Sequence, residues 1–395
     1  MISDDTVAKW REDTPGVENR IHLNNAGAAL MPRPVHQAIV DYLAIERDIG
    51  GYEAADQQAD EIAITYDRVA ALVGAKPANM AIVANATAGF IQSMSSFDFQ
   101  RGDTILTSRA DYTSYQIHYL ALSQRLGVRV LHAEDLPEGG IDPQSVREIL
   151  SREKCRLVHV SWIPTHSGTI QDARGVGEVC EDAGVPYIVD ACQAVGQVPI
   201  EVNGLKCDYL SVTARKFLRG PRGIGFMFAS DRALARGDHP LFVDMRGAKW
   251  VSPERYDVDP SAKRYEDWEF PYALVMGLRA AAEYALDAGI ERCGERARSH
   301  AAYLRERLSG ISGMKLLDRG RELSAIVTVE LEGRDARKIV EQLRTIGINT
   351  AATLQWYGML DLGPRGVQSA VRLSPHYYNT TDELDRVVDV LAELD

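Results

Sequence analysis

Short apolar runs alternate with amphipathic stretches through most of this chain. Runs at 80–84, 104–107, 129–132, 157–161, 187–190 and 209–212 are bounded by turn-forming residues and predict strands. The gaps carry helical periodicity, as at 114–125 and at 173–183, where Gly184 supplies a stop. Such alternation predicts an α/β fold, a mainly parallel sheet with helices on both faces. The run 224–228 follows closely on 209–212 and is expected to return antiparallel. After about Gly289 the pattern changes to a long helix at 291–308, strands at 315–317 and 325–331, a helix at 336–346, a strand at 370–373 and a last helix at 381–393. Two units follow from this reading: a large one over 20–285, and a smaller α+β one built from 1–19 and 286–395.

Composition narrows the function classes. A net charge of −12 argues against a general nucleic-acid or anionic-membrane surface. The acidic start, Met1-Ile2-Ser3-Asp4-Asp5, lacks the basic and apolar segments of a signal peptide, and no apolar run is long enough to span a bilayer. The five cysteines (155, 180, 192, 207, 293) are scattered, odd in number and without metal spacing. A cytoplasmic protein with reduced thiols and no metal is expected.

Candidate chemistry concentrates beyond the carboxyl ends of the predicted strands, where ligands of such sheets bind. There lie Thr87, Tyr112, Asp190 and Thr213. The chain has nine lysines beside thirty-five arginines, so few amines are available for covalent catalysis. Of these, Lys216 alone stands next to a Gly-rich loop after an apolar strand. An amine there and a carboxylate at the end of Tyr187-Ile188-Val189-Asp190 suit an aldehyde cofactor with a basic ring nitrogen, namely pyridoxal 5′-phosphate (PLP). Asp190 would keep the ring nitrogen protonated; as an alternative it caps the following turn. Gln193 is placed to donate to the ring phenolate. Neighbouring Arg215 and partial burial would lower the pKa of Lys216 and favour the neutral amine. Thr87 at a strand-to-helix passage, with Thr213 and Arg215, suits a phosphate. Tyr112 is placed to lie against the ring, or else is a core or dimer-contact residue. Arg372, between apolar strand residues, wants a buried anion: a substrate carboxylate, or an internal salt bridge. The glycines of 220–225 have the wrong spacing for a dinucleotide fingerprint.

From Leu23-Asn24-Asn25-Ala26-Gly27 to Tyr378-Asn379-Thr380, these ordered segments resemble the fold-type I PLP enzymes of the class V aminotransferase branch, which includes cysteine desulfurases, isopenicillin N epimerase-like proteins and C–S lyases. The resemblance implies a PLP-dependent transferase fold with a seven-stranded, mainly parallel sheet, and a homodimer with active sites near the subunit interface. It implies Lys216 as the cofactor lysine, Asp190 at the pyridine nitrogen, Gln193 at the phenolic oxygen and Arg372 on the substrate carboxylate. It places Thr87, Thr213 and Arg215 at the phosphate and Tyr112 over the ring. It adds Ala88, Thr165 and Trp268 to the cofactor side, and Asn25, Ala26 and Gly27 to the substrate side. The stretch Arg264-Tyr265-Glu266-Asp267-Trp268-Glu269 is similar to one that reaches the partner's cofactor in the ergothioneine-pathway C–S lyases and their selenocysteine-lyase-like relatives.

Two departures matter. Gln355-Trp356-Tyr357 is bulkier than the small polar residues of that subgroup. No cysteine follows Cys293, so the mobile persulfide thiol of the desulfurases has no candidate, and Cys192 is read as strand packing. The expected reaction is elimination from a cysteine-derived amino acid or its sulfoxide. Transamination and epimerisation share the first proton removal and stay open, as does a non-catalytic PLP-binding protein.

Overall fold

Seven strands form the central sheet of the computed structural model, which describes residues 2–393. Their spatial order is Met80–Val83, Gly225–Ala229, Tyr209–Thr213, Tyr187–Asp190, Cys155–Ser161, Thr104–Thr107 and Arg129–His132. All neighbours run parallel except Gly225–Ala229, which is antiparallel to both of its partners. The inner strands are buried on both faces, which is why they read as continuous apolar runs. Successive side chains go to opposite faces: Tyr187 and Val189 join one core, Ile188 the other. Register places Asp190 opposite Ser161 on one side and Ser211 on the other.

A second, antiparallel sheet has the order Met314–Leu316, Val327–Leu331, Ser369–Leu373 and Ala351–Leu354. Helices Ile290–Ser309, Ala336–Thr345 and Thr381–Ala392 belong to the same part of the chain, and the last begins with a full capping box at Thr380 and Glu383. The N-terminal segment ties into this sheet. Ile21–His22 pairs parallel with Ile348–Asn349, and Asn24 bridges to Ser374.

The expected strands and helices are present, with ends differing by one or two residues. The short strands Ile21–His22, Ile348–Asn349 and Ala351–Leu354 were not anticipated, nor was the hairpin Ala248–Ser252 and Arg255–Val258, whose residues are almost all exposed. The hairpin buries neither face, so it leaves no alternating pattern to read. Among the described residues, no helix is long and apolar enough to cross a membrane and no group of metal-binding side chains occurs.

Candidate active site

Strand ends and one tight loop build the site. Asp190 closes its strand, and its Oδ1 accepts the Cys192 amide at 2.8 Å. Thr213 ends the next strand, and the chain then turns through Ala214, Arg215 and Lys216. The turn closes with Arg219 in the left-handed region at φ 62°, its amide donating to Lys216 O at 2.8 Å. A non-glycine residue there is disfavoured unless its surroundings hold it. Arg219 is held on every side: its guanidinium donates to Leu30 O, Tyr377 Oη and Thr14 Oγ1, and lies over the Tyr378 ring. Gly225 begins the antiparallel return so close to the lysine strand that a Cβ would sit 2.1 Å from Val212 O.

These elements enclose a cavity of about 280 Å³ lined by Asn85, Ala86, Thr87, Tyr112, Tyr115, Asp190, Cys192, Thr213, Arg215, Lys216, Arg222 and Gly223. Six residues singled out from the sequence, Thr87, Tyr112, Asp190, Thr213, Arg215 and Lys216, thus meet at one place. Four larger grooves, of about 330, 400, 480 and 730 Å³, lie elsewhere. In the two largest of them the lining cations are paired, as Lys76 with Asp231, Lys206 with Glu181 and Arg279 with Glu61.

The cavity's own cations are different. Among the described residues, no carboxylate within ion-pair distance meets Arg215, Lys216 or the nearby Arg372. Burial lowers the Lys216 pKa; Cys192 and Asp190 oppose the shift, and the charges of Arg215 and Arg372 reinforce it. Arg372 is 8% exposed, and burial together with Arg215 lowers its pKa to about 10. Its guanidinium donates to Thr165 O and Oγ1, both at 2.9 Å, and to Asn24 Oδ1 at 3.1 Å, while Nε has no partner. A buried charge without a counterion is costly, so this geometry awaits an anion. The internal salt bridge is excluded.

Several other side chains take up places that the sequence did not foretell. Ala88 does not line the cavity, because its amide is bonded to the N-cap Asn85 Oδ1 at 3.0 Å; Ala86 and Thr87 line it instead. Asn25 is fully engaged inside the fold, donating to Ser374 O and accepting from Tyr378 Oη. Ala26 and Gly27 offer their carbonyls to Gln193 and Arg215, and the Arg372 contact falls to Asn24. Thr165 stands between Arg372 and Gln193 and acts as a support for both. Gln193 is buried behind the cavity wall, with Oε1 unpartnered. Trp268 is 48% exposed and outside the cavity of its own chain. Cys192 is not mere strand packing: it lines the cavity beyond the strand end, and burial pushes its thiol pKa up. The loop at Gln355–Gly358 reaches the site region, since Thr113 Oγ1, next to Tyr112, donates to Tyr357 O at 2.8 Å.

Asn85, Tyr115 and Arg222 line the cavity and were missed. Asn85 was legible as an N-cap before a helix. Tyr115 reads from sequence as an ordinary core aromatic, and Arg222 as a loop cation.

This donor set fits PLP. It offers a buried amine with a lowered pKa and a carboxylate in the same cavity lining. It also offers the start of helix Ala86–Ser95 with two hydroxyls and a guanidinium for a phosphate, and an aromatic residue on the wall.

A family model described as aminotransferase class-V matches residues 21–387. A probable cysteine desulfurase of Methanothermobacter thermautotrophicus is 24% identical over 392 residues, covering 97% of each chain. A probable hercynylcysteine sulfoxide lyase of Mycobacterium tuberculosis is 24% identical, covering 98% of this chain and 93% of its own. The apo structure of cysteine desulfurase from Thermococcus onnurineus superposes with a TM-score of 0.89 at 22% identity, covering 98% of this chain and 97% of that one, and so shares the fold.

Proposed function

The chain belongs to the aminotransferase class-V family, and on that footing we propose that it is a PLP-dependent C–S lyase acting on a cysteine-derived amino acid or its sulfoxide. The observation that carries this reading is that Arg215 and Lys216, with Arg372 nearby, have no ion-pair partner among the described residues, at a cavity whose one lining carboxylate is Asp190. Bound PLP supplies an electron sink for the pair left at the substrate Cα.

The chain's residues do the rest. Arg372 binds the substrate carboxylate in a bidentate pair, supported by Thr165 and Asn24. Lys216, whose pKa is lowered by burial, would attach the cofactor and then take the Cα proton as general base. With PLP bound, Asp190 would keep the ring nitrogen protonated and Tyr112 would cover one ring face, while Gln193, whose Nε2 already donates to Ala26 O and Thr165 Oγ1, would have to re-orient to serve the phenolic oxygen. Thr87, Thr213, Arg215 and the helix start hold the phosphate. The Cβ–S bond then breaks with its electron pair going to sulfur, and hydrolysis of the remainder gives pyruvate and ammonia.

Elimination, and not persulfide relay, is favoured by the thiols. All five cysteines are buried, the one in the cavity has a raised pKa, and none lies in the chain after Cys293. The relative named as a hercynylcysteine sulfoxide lyase supports the same exit. We further propose a cytoplasmic homodimer, with Trp268 facing the partner's site. The free thiols suit a reducing compartment.

The deciding experiment is a panel of S-substituted cysteines and their sulfoxides, incubated with PLP-loaded protein. Pyruvate and a sulfur product are expected without added keto acid. Strict dependence on a keto acid would overturn elimination in favour of transamination, and inversion at Cα without pyruvate would favour epimerisation.

A further inference from the structure

Beyond strand Ser369–Leu373 the chain turns through Ser374-Pro375-His376-Tyr377-Tyr378-Asn379, all buried, a segment for which the chemistry above has no use. His376 follows Arg372 along this segment and is 0% exposed. Its Nε2 is 3.0 Å from Phe217 O, and its Nδ1 accepts the Tyr377 amide at 2.9 Å. A neutral imidazole has one N–H, so these two contacts leave a single tautomer, with Nε2 as the donor. Burial and the charge of Arg219 hold the ring's pKa well below the ordinary histidine value, which keeps it neutral. The imidazole is itself fixed: the His376 amide donates to Asn379 Oδ1 at 2.8 Å, and the ring stacks on Tyr378 with centroids 5.2 Å apart.

Phe217 follows Lys216 directly and is 1% exposed. Among the described residues, His376 Nε2 is the one hydrogen-bond donor to its carbonyl. A buried carbonyl left without a donor is costly, so the imidazole meets a need that the tight loop cannot meet for itself. Gly196 crowds the same carbonyl: φ there is 91°, and a Cβ would stand 2.3 Å from Phe217 O. Phe217 therefore has little room to shift. Just beyond it, Arg219 Nη1 donates to Tyr377 Oη at 2.8 Å, and the guanidinium lies over the Tyr378 ring. One buried turn thus holds the lysine loop at Phe217 and again at Arg219, so the backbone that carries the amine is fixed on its C-terminal side.

We propose that His376 is a positioning residue for Lys216: as an Nε2–H donor of fixed tautomer it anchors the Phe217 carbonyl, and so ties the lysine loop to the segment that bears Arg372. The inference rests on the PLP reading and adds to it a residue that acts through Lys216. The imidazole does not line the cavity. It fixes the spacing between the amine that removes the Cα proton and the guanidinium that holds the substrate carboxylate, which confines both to a productive geometry before substrate arrives.

The test compares His376→Gln with His376→Met in the full-length protein. The two replacements are close in length, but the glutamine amide can donate to Phe217 O and the methionine cannot. One readout is the rate at which the visible band grows when apoprotein meets PLP, with borohydride trapping at Lys216 as its check. The other is hydrogen exchange, in the apoprotein, of the peptide that covers residues 214–220. His376→Met is expected to slow band growth about tenfold and to speed exchange of that peptide, whereas His376→Gln should stay within about twofold of wild type in both. His376→Asn keeps the acceptor for the Tyr377 amide but is too short to reach Phe217 O. It should resemble the methionine variant, and it takes that variant's place should His376→Met not fold. Loading at the wild-type rate in the variants without a donor would overturn the proposal, as would glutamine and methionine variants slowed alike. Wild-type protein that develops no visible band with PLP would overturn the functional reading itself, and this proposal with it. A wild-type band with silent variants removes this proposal alone.

Discussion

Arg372 carries its charge into the interior with no acid to meet it, and that single fact sets the expected behaviour of its variants. Arg372→Ala removes a charge-assisted pair with the substrate carboxylate, an interaction of about 1.5–3 kcal/mol. KM is expected to rise roughly ten- to a hundredfold, with a smaller change in kcat, as read by steady-state pyruvate release. Lys216→Ala removes the amine, so the variant should show no visible band with PLP and no borohydride-trapped peptide. A band retained in that variant would assign the cofactor to another lysine. Residues such as Lys216, Asp190 and Arg372 stood out in the sequence because a charge at the edge of an apolar run is expensive without a purpose. Tyr115 and Asn24 did not, because a tyrosine in a helix and an asparagine in a loop are ordinary in those places.

At the level of elements, strands that are buried on both faces were readable almost to the residue. Tyr187–Asp190 is a short apolar run closed by an acid, and the chain has no other use for such a run than a central strand. The antiparallel return at Gly225–Ala229 followed from the brief connection after Tyr209–Thr213, too short for a parallel crossover. Here the glycine is required by contact: Gly225→Ala would push a methyl against Val212 O. A loss of roughly 1–3 kcal/mol is expected in urea unfolding of the apoprotein, together with weaker PLP binding, since the lysine loop hangs between these strands. The exposed hairpin at 248–258 was invisible for the opposite reason, having no buried face to impose a period.

Over the whole molecule, two surfaces make predictions. Leu241, Phe242, Met245, Trp250 and Tyr256 are all exposed, Phe242 at 85% and Trp250 at 77%, within one stretch that includes the hairpin. Apolar aromatics gathered in this way mark an interaction surface. A dimer is expected in sedimentation equilibrium, and Phe242→Glu with Trp250→Glu should shift it toward monomer. The interior makes the second prediction. His22 and His300 are buried, and desolvation lowers the pKa of each from 6.5 to about 4. The unfolded chain therefore binds protons that the folded one refuses. Their contribution is complete above pH 6.5 and is lost as pH falls from there toward 4. The urea midpoint should drop across that window, and His300→Gln should flatten part of the fall.

The amino-acid order by itself determined the alternation of strands and helices, the positions where chemistry gathers, and the pairing of an amine with a carboxylate. Each of these is local, set by burial period or by a charge at a strand end. Which of those groups face one another was decided only by the tertiary structure, because side chains 20 to 350 residues apart meet through strand order and register. That is how Asn24 comes to hold Arg372, how Asn25 is withdrawn into the fold, and how a helix tyrosine, Tyr115, comes to line the same cavity as Asp190.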